Sequence, residues 1–255
     1  MIPSDDREQE ERWTEHFREI LNRPPPEEDA DIPEAADDLD INTAVPEKEK
    51  IIKAIKSLKN GTAPGHDKLN AELFNTDPEL TATILQPLFA AVWEGGEVPA
   101  DWTKGVIIRT PKKGAFSDCN NWRGITLLSV PSKILAKIII KQISDALDTG
   151  LRKEQAGFRR ERECTDQIFT LRNIVERCTE WQWQLHINFV DFEKDFDTIH
   201  RDSLWCILRA HGIPLRIVQF IKSFYHNFTC SVGNSRLNFH VKTGVGQGCV
   251  MSAVL

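Results

Sequence analysis

Long apolar runs are missing from this sequence of 255 residues. A membrane-spanning helix needs roughly 18 or more consecutive apolar residues, and no stretch of that length occurs. The first residues, MIPSDDREQEERW, are acidic, whereas a secretory signal peptide starts with basic residues and continues with apolar ones. Both absences predict an intracellular protein, nuclear or cytoplasmic, that is neither secreted nor held by a membrane.

Closely spaced cysteines are also missing. The six cysteines are scattered along the chain, with no C-x-x-C pair and no histidine at a metal-ligand spacing from them. They are Cys119, Cys164, Cys178, Cys206, Cys230 and Cys249. This spacing predicts reduced thiols and argues against a zinc module.

Positive charge is scarce in the first part of the chain. Residues 1–48 contain 16 Asp and Glu against 5 Lys and Arg, whereas residues 49–255 contain 22 against 27. The net charge of -6 therefore combines an acidic lead with a basic remainder. The basic part could carry a nucleic acid, which the acidic lead would repel.

The hydrophobic pattern predicts a mixture of helices and strands. Apolar residues at helical spacing indicate helices over residues 8–22, 78–94, 131–147, 166–179, 202–211 and 214–226, and a further helix that begins after Pro46. β-prone residues indicate strands over residues 105–113, 125–129 and 185–190, and a hairpin that turns at Gly233-Asn234-Ser235. Residues 24–46 are acidic and rich in Pro and Ala, which is typical of a linker.

The stretch LHINFVDFEKDFD, residues 185–197, combines an apolar strand with four acids, of which Asp191 comes first. A carboxylate directly after an apolar strand needs a compensating cation, and Mg²⁺ takes oxygen ligands. The alternative is that Asp191 is a cap or turn residue and that the following acids are exposed on a turn. We accept exposure for Glu193.

Two further patterns suggest a substrate site. The glycine-rich run 244–248 lets the backbone approach a ligand closely and lets Gln247 present an amide to a sugar or base, although such a run is also common as a simple turn. Basic residues on predicted loops, namely Lys112, Lys113, Arg123, Arg159, Arg160 and Arg162, would jointly bind a triphosphate. For each of them alone, a solvated surface is the default explanation.

Several motifs, in a fixed order, resemble those of one family. They are KNGTAPGHDKLNAELF (59–74), PKKG with NNWRGITLLSVPSK (111–133), EQAGFRRERECTDQI (154–168), FVDFEKDFDTIHR (189–201) and GVGQGCVMS (244–252). This order resembles the reverse transcriptase domain of non-LTR retrotransposons, closest to the RTE-like type. The resemblance covers residues 47–255, a partial reverse transcriptase domain. Residues 1–46 are similar to the acidic segment that joins an endonuclease to the polymerase in such elements.

The resemblance implies an RNA-directed DNA polymerase that uses two Mg²⁺ ions, an RNA template, a DNA primer and deoxynucleoside triphosphates. It implies that Asp191 is catalytic and binds metal, together with the backbone carbonyl of Phe192, and that Phe196 packs under the deoxyribose. It also implies contacts to the nucleotide from Lys112, Lys113, Arg123, Arg159, Arg162 and Gln247. The implied fold is α/β, or α+β: fingers plus an incomplete palm, with mainly antiparallel strands packed against helices.

This chain departs from the family pattern in several places. Family members commonly have Ala at Asp195, Arg at Gly246, Pro at Ala253 and Gly near Glu163. The family's aromatic-x-Asp-Asp turn is also missing, because the two Asp-Asp pairs, Asp5-Asp6 and Asp37-Asp38, lie in the acidic lead. We therefore expect a chain truncated before that turn and inactive by itself. The alternative is a non-catalytic remnant or a domesticated nucleic-acid-binding protein.

Overall fold

The computed structural model describes residues 5–28, 31–159, 161–252 and 255, so that Arg160 and Ala253 lie outside the described residues. The helices are α1 (Asp6–Ile20), α2 (Lys48–Lys56), α3 (Ala71–Asn75), α4 (Pro78–Gly95), α5 (Val130–Leu147), α6 (Cys164–Glu180), α7 (Asp195–Thr198), α8 (Arg201–Ala210) and α9 (Leu215–Tyr225). The strands are β1 (Lys104–Pro111), β2 (Trp122–Leu127), β3 (Thr229–Val232) and β4 (Asn238–His240). Short 3₁₀ helices span Ala100–Thr103 and Cys119–Asn121. The predicted α/β class is confirmed.

The four strands form one mixed sheet in the order β2-β1-β3-β4. β1 pairs antiparallel with β2, from Val106 opposite Leu127 to Pro111 opposite Trp122. Its other edge pairs parallel with β3, which in turn pairs antiparallel with β4. The predicted hairpin around Gly233 is confirmed as β3–β4.

Helix α1 covers one face of this sheet. Trp13 and Phe17 are buried with Ile107 of β1 and Cys230 of β3 in a common apolar cluster. Gly124 of β2 makes the approach possible, because a Cβ atom there would lie 2.5 Å from the Phe17 ring. The helix of the acidic lead therefore packs on the sheet, and the division of the chain at residue 46 stays a prediction.

A larger apolar core lies among α2, α4, α5, α8 and α9. The predicted inner face of α5 is confirmed, since its apolar residues Ile134, Leu135, Ile138, Ile139 and Ile143 are all buried. Ser129 caps the start of this helix by accepting a hydrogen bond from the Ser132 amide. The helical spacing of apolar residues predicts this part of the fold, because the apolar face of α5 packs against the neighbouring helices of the core.

The predicted linker contains no helix or strand among its described residues, but part of it is held against α8. Arg209 donates to the carboxylates of Glu34 at 2.9 Å and Asp38 at 2.7 Å. The Leu39 amide donates to the Gly212 carbonyl at 2.6 Å, and Ile41 is buried in the helical core. Charge pairing and main-chain contacts thus fix the acidic segment where composition predicts a free linker.

The predicted strand over residues 185–190 is wrong. These residues form no strand and pair with none among the described residues, and Phe189 is 82% exposed. A strand needs a neighbour to complete its backbone hydrogen bonds, and this segment adds to neither outer edge of the sheet, which β2 and β4 form. Helix α6 forms as predicted but buries none of its side chains. None of the described helices is both long and apolar enough for a membrane span.

Candidate functional site

The glycine-rich run 244–248 joins two parts of the chain. The Val245 amide donates to the Phe196 carbonyl at 2.8 Å, and the Thr126 amide of β2 donates to the Gln247 carbonyl at 2.7 Å. Gly244 has a φ of +77°, and a Cβ atom on it would lie 2.6 Å from the Phe196 carbonyl oxygen. Glycine is thus required here for close packing as well as for backbone conformation.

Arg201, at the start of α8, binds backbone carbonyls at the start of the glycine-rich run and just before it. Its Nε donates to the Gly244 carbonyl at 2.9 Å, and one of its terminal nitrogens donates to the Val241 carbonyl at 2.9 Å. The guanidinium also lies 4.9 Å from the centre of the Tyr225 ring. Burial lowers the pKa of Arg201 to about 10, so that the group stays charged at neutral pH. Sequence reasoning missed this residue because nothing in the pattern links it to a loop forty residues away.

Helix α7 lies beside the end of the β1–β2 hairpin. Lys194, which precedes α7 in a left-handed conformation, donates to the Asn120 side chain at 3.2 Å. Burial raises the pKa of Asp197 to about 6, while the positive charges of Lys194 and Lys112 act in the opposite direction. Lys112 and α7 therefore belong to one electrostatic environment, and Asp197, one of the four acids of residues 185–197, is a half-buried carboxylate.

Arg123 lies on the sheet face opposite α1. It faces Thr110 across the β1–β2 ladder, whereas Arg109, one residue away, places its guanidinium 4.9 Å from the Trp13 ring of α1. Side chains alternate between the faces of a strand, so that Arg123 points away from α1. Arg123 and Lys113 are both exposed and accessible to a ligand.

The loop before α6 reaches the same region through Phe158. Its ring meets the ring of Phe196 edge to face, with 6.4 Å between the ring centres. Phe196 is thus contacted through its carbonyl by Val245 and through its ring by Phe158. The structure brings together the hairpin end, the α6 loop, α7 and the glycine-rich run, which are far apart in the sequence.

A family model described as reverse transcriptase (RNA-dependent DNA polymerase) matches residues 110–255, which is more than half of the chain. This chain belongs to the reverse transcriptase family. The predicted resemblance to reverse transcriptase domains of non-LTR retrotransposons is confirmed by the family match and by the similar proteins that follow.

Similar proteins come from several animals. A transposon TX1 uncharacterized 149 kDa protein of Xenopus laevis is 25% identical over 81% of this chain and 16% of its own length. A Pol polyprotein from the type-1 retrotransposable element R2 of Popillia japonica is 27% identical over 82% of this chain and 29% of its own length. A putative 115 kDa protein in the element R1DM of Drosophila melanogaster is 25% identical over 78% and 19%. The chain spans less than a third of each of these relatives.

Reverse transcriptases generally use divalent metals, but the described residues of this one do not form a metal centre. They contain no group of three or more His, Cys, Asp or Glu side chains placed to hold an ion. Asp191 and Phe192 are exposed on the unpaired segment after residue 190. The roles predicted for these two residues stay predictions.

Arg159 of the reverse transcriptase is the predicted nucleotide contact with the most internal partners. Its Nε donates to the Asp148 carboxylate at 2.9 Å, and its terminal nitrogens donate to the carbonyls of Arg152 at 2.8 Å and Asp148 at 2.9 Å. The first of these bonds is the main cause of the lowered pKa of Asp148. The side chain of Arg159 is 7% exposed and packs at the end of α5, whereas Arg162 is exposed.

Proposed function

We propose that this chain forms the nucleotide-binding part of an RNA-directed DNA polymerase that extends a DNA primer along an RNA template. In this reaction the primer 3′-hydroxyl attacks the α-phosphorus of a deoxynucleoside triphosphate. A phosphodiester bond forms, the bond from the α-phosphorus to the bridging oxygen breaks, pyrophosphate leaves, and the hydroxyl proton passes to solvent. The observation that carries the proposal is the pair of hydrogen bonds, Val245 to Phe196 and Thr126 to Gln247, which assembles the motifs.

The assembled residues have complementary roles in this proposal. Phe196 packs under the sugar and excludes a 2′-hydroxyl, while Gln247 presents its amide to the sugar. Lys112, Lys113 and Arg123 lie at the end of one hairpin and supply positive charge to the triphosphate, with Arg able to bind two phosphate oxygens at once. Because catalysis of phosphoryl transfer depends mainly on positioning and electrostatics, such a set is what the reaction requires.

The α6 loop gives a second contact to the triphosphate in this proposal. Arg162 is exposed and extends its guanidinium to the phosphates. Arg159 keeps the loop folded through its bonds to Asp148 and Arg152, and it would reach a phosphate only after releasing some of them. The edge contact between Phe158 and Phe196 supports the placement of this loop beside the nucleotide.

Because the family uses divalent metals, we propose that two Mg²⁺ ions bind when the domain also supplies carboxylates beyond those of the described residues. Asp191 and the Phe192 carbonyl would give two oxygen ligands, and Mg²⁺ binding usually draws on further carboxylates and on substrate phosphates. Since the described residues assemble no such group, we expect no polymerisation from the 255-residue chain itself.

Primer extension on an RNA template tests the polymerase proposal. The chain would be compared with a version that continues through an aromatic-x-Asp-Asp hairpin from a related element. We expect extension by the longer version, and its loss on Asp191→Asn. Phe196→Val should retain extension and should admit ribonucleotides. A longer version that folds but extends no primer would overturn the proposal.

A second candidate function is nucleic-acid binding without catalysis. Exposed Arg123 and Lys113, combined with the missing carboxylate group among the described residues, favour it. Salt-dependent binding to an RNA–DNA duplex, unchanged by Asp191→Asn, would support this function. If the duplex does not bind even at low salt, the binding function is excluded.

A further inference from the structure

A large cleft lies between α2, α5 and the loop that follows α5. Its volume is about 960 Å³, which is at the upper end of the range for small-ligand pockets. Four lysines line it: Lys50 and Lys53 from α2, and Lys137 and Lys141 from α5. The site proposed above for the nucleotide does not use these residues.

Positive charge exceeds negative charge in the cleft. Five cationic side chains, the four lysines and Arg159, line it together with three acidic ones, and of these acids Asp148 is already paired with Arg159. Lys137 donates to the carbonyl and hydroxyl oxygens of Ser57, which fixes its ammonium group across the cleft. Burial, and secondarily the nearby Lys59, lower the pKa of Lys137.

Two uncharged features also point to an occupant. Both amide atoms of Gln142 are buried and have no hydrogen-bond partner among the described residues, although the side chain lines the cleft. A buried unpaired amide is unfavourable, so that a polar ligand would stabilise it. At the other end, Phe158 lines the cleft with its ring 74% exposed.

We propose that this cleft binds the phosphodiester backbone of a single-stranded nucleic acid, and that Phe158 stacks on one of its bases. A groove of cations beside an exposed aromatic ring is the arrangement that holds unpaired strands irrespective of their sequence. An unpaired base offers its face for stacking, whereas paired bases stack on each other. The contact between Phe158 and Phe196 leads the strand towards the proposed nucleotide site, and this placement rests on the proposed function.

The test measures fluorescence anisotropy of labelled single-stranded RNA and DNA of one sequence with the whole chain, without nucleotide or metal. The cleft variant carries Lys50→Gln, Lys53→Gln and Lys141→Gln, and it keeps Lys137 because of its contact with Ser57. The control variant carries Lys68→Gln, Lys222→Gln and Lys242→Gln, which are exposed lysines outside the cleft. Both variants lose the same charge.

Three lost phosphate contacts should reduce the slope of log K against log salt by about 2, and the affinity at 0.1 M salt by about a hundredfold, on RNA and DNA alike. The control variant should bind within about threefold of the unchanged chain, because exposed charges far from the bound strand are screened. Equal losses in the two variants, or no binding by the unchanged chain at low salt, would overturn the proposal.

Single substitutions separate binding from folding. Phe158→Leu keeps an apolar side chain and should weaken binding about tenfold without changing the salt slope, because it removes stacking alone. Gln142→Leu should raise the unfolding temperature and weaken binding, since it removes an unpaired amide that the ligand would use. Weaker binding without this gain in stability would still fit the cleft, whereas undiminished binding by both variants would contradict it. If the longer version binds the strand but extends no primer, the result counts against the polymerase proposal and not against the cleft.

Discussion

Replacement of Arg201 by methionine should destabilise the protein by about 3 kcal/mol. The guanidinium donates to the carbonyls of Gly244 and Val241 at 2.9 Å, and to those of Tyr225 and Thr243 at 3.3 and 3.4 Å. Hydrogen bonds from a charged donor are worth about 1.5–3 kcal/mol each when short, and the two longer ones less, so that together they contribute about 4–8 kcal/mol. Methionine would keep much of the apolar contact with the Tyr225 ring.

Desolvation of the same group acts in the opposite direction. Burial lowers the pKa of Arg201 from 12.5 to about 10, which corresponds to about 3 kcal/mol in favour of the neutral form. Because the pKa is lower in the folded state, this penalty is present at all pH values below about 10 and diminishes only above it. The net loss for Arg201→Met at neutral pH is therefore the difference, about 1–5 kcal/mol.

Urea unfolding followed by tryptophan fluorescence would measure this loss. Arg216→Met is the matched control, because Arg216 is exposed and makes one long bond of 3.4 Å to the Trp93 carbonyl. We expect the control to change the free energy of unfolding by less than about 0.5 kcal/mol. If Arg201→Met and Arg216→Met agree within that margin, the assignment of Arg201 as the residue that holds the glycine-rich run is wrong.

Two further predictions concern the same region. Gly244→Ala should lower the free energy of unfolding, measured in urea, by about 2–4 kcal/mol, because the new Cβ atom clashes with the Phe196 carbonyl. Gly233 also has a positive φ but has open space around it, so that Gly233→Ala should lower the free energy of unfolding by only about 1 kcal/mol. Equal losses in the two variants would contradict the packing argument. The pKa of Asp197 is raised by burial to about 6 in the folded state, so that its contribution to stability is complete below about pH 4 and is lost as pH rises through 6, by at most about 3 kcal/mol. Asp197→Asn should remove this decline in stability between pH 4 and 7. Asp195→Asn, at an exposed position, should leave the decline unchanged. A decline that persists in Asp197→Asn would refute the raised pKa of Asp197.

The sequence predicts those elements that are specified by neighbouring residues, such as a turn or the apolar face of a helix. The periodicity of α5 predicts its buried side, and the turn residues around Gly233 predict the β3–β4 hairpin. Both signals lie within a few residues of the structure that they specify. The order of the motifs likewise allowed the family to be recognised, because each motif is short and continuous.

Features that depend on distant partners were not predictable. Residues 185–190 have the composition of a strand, but a strand also needs a partner from a distant part of the chain, and no local pattern specifies one. Arg201 satisfies carbonyls in a loop that begins forty residues later, and no periodicity marks such a contact. The docking of α1 depends on the absence of a side chain at Gly124 opposite Phe17, which only the folded sheet makes visible.

The partnership of α1 with the sheet has a consequence for synthesis of the chain. The Asn22 side chain, just after α1, donates to the His240 carbonyl, 218 residues further along. At about 5–20 residues per second, a ribosome needs about 10–40 s to make the intervening chain. During that time Trp13 and Phe17 remain uncovered by β3 and β4, so that a chaperone has an opportunity to bind them. Closure of the sheet under α1 should therefore be among the last folding events.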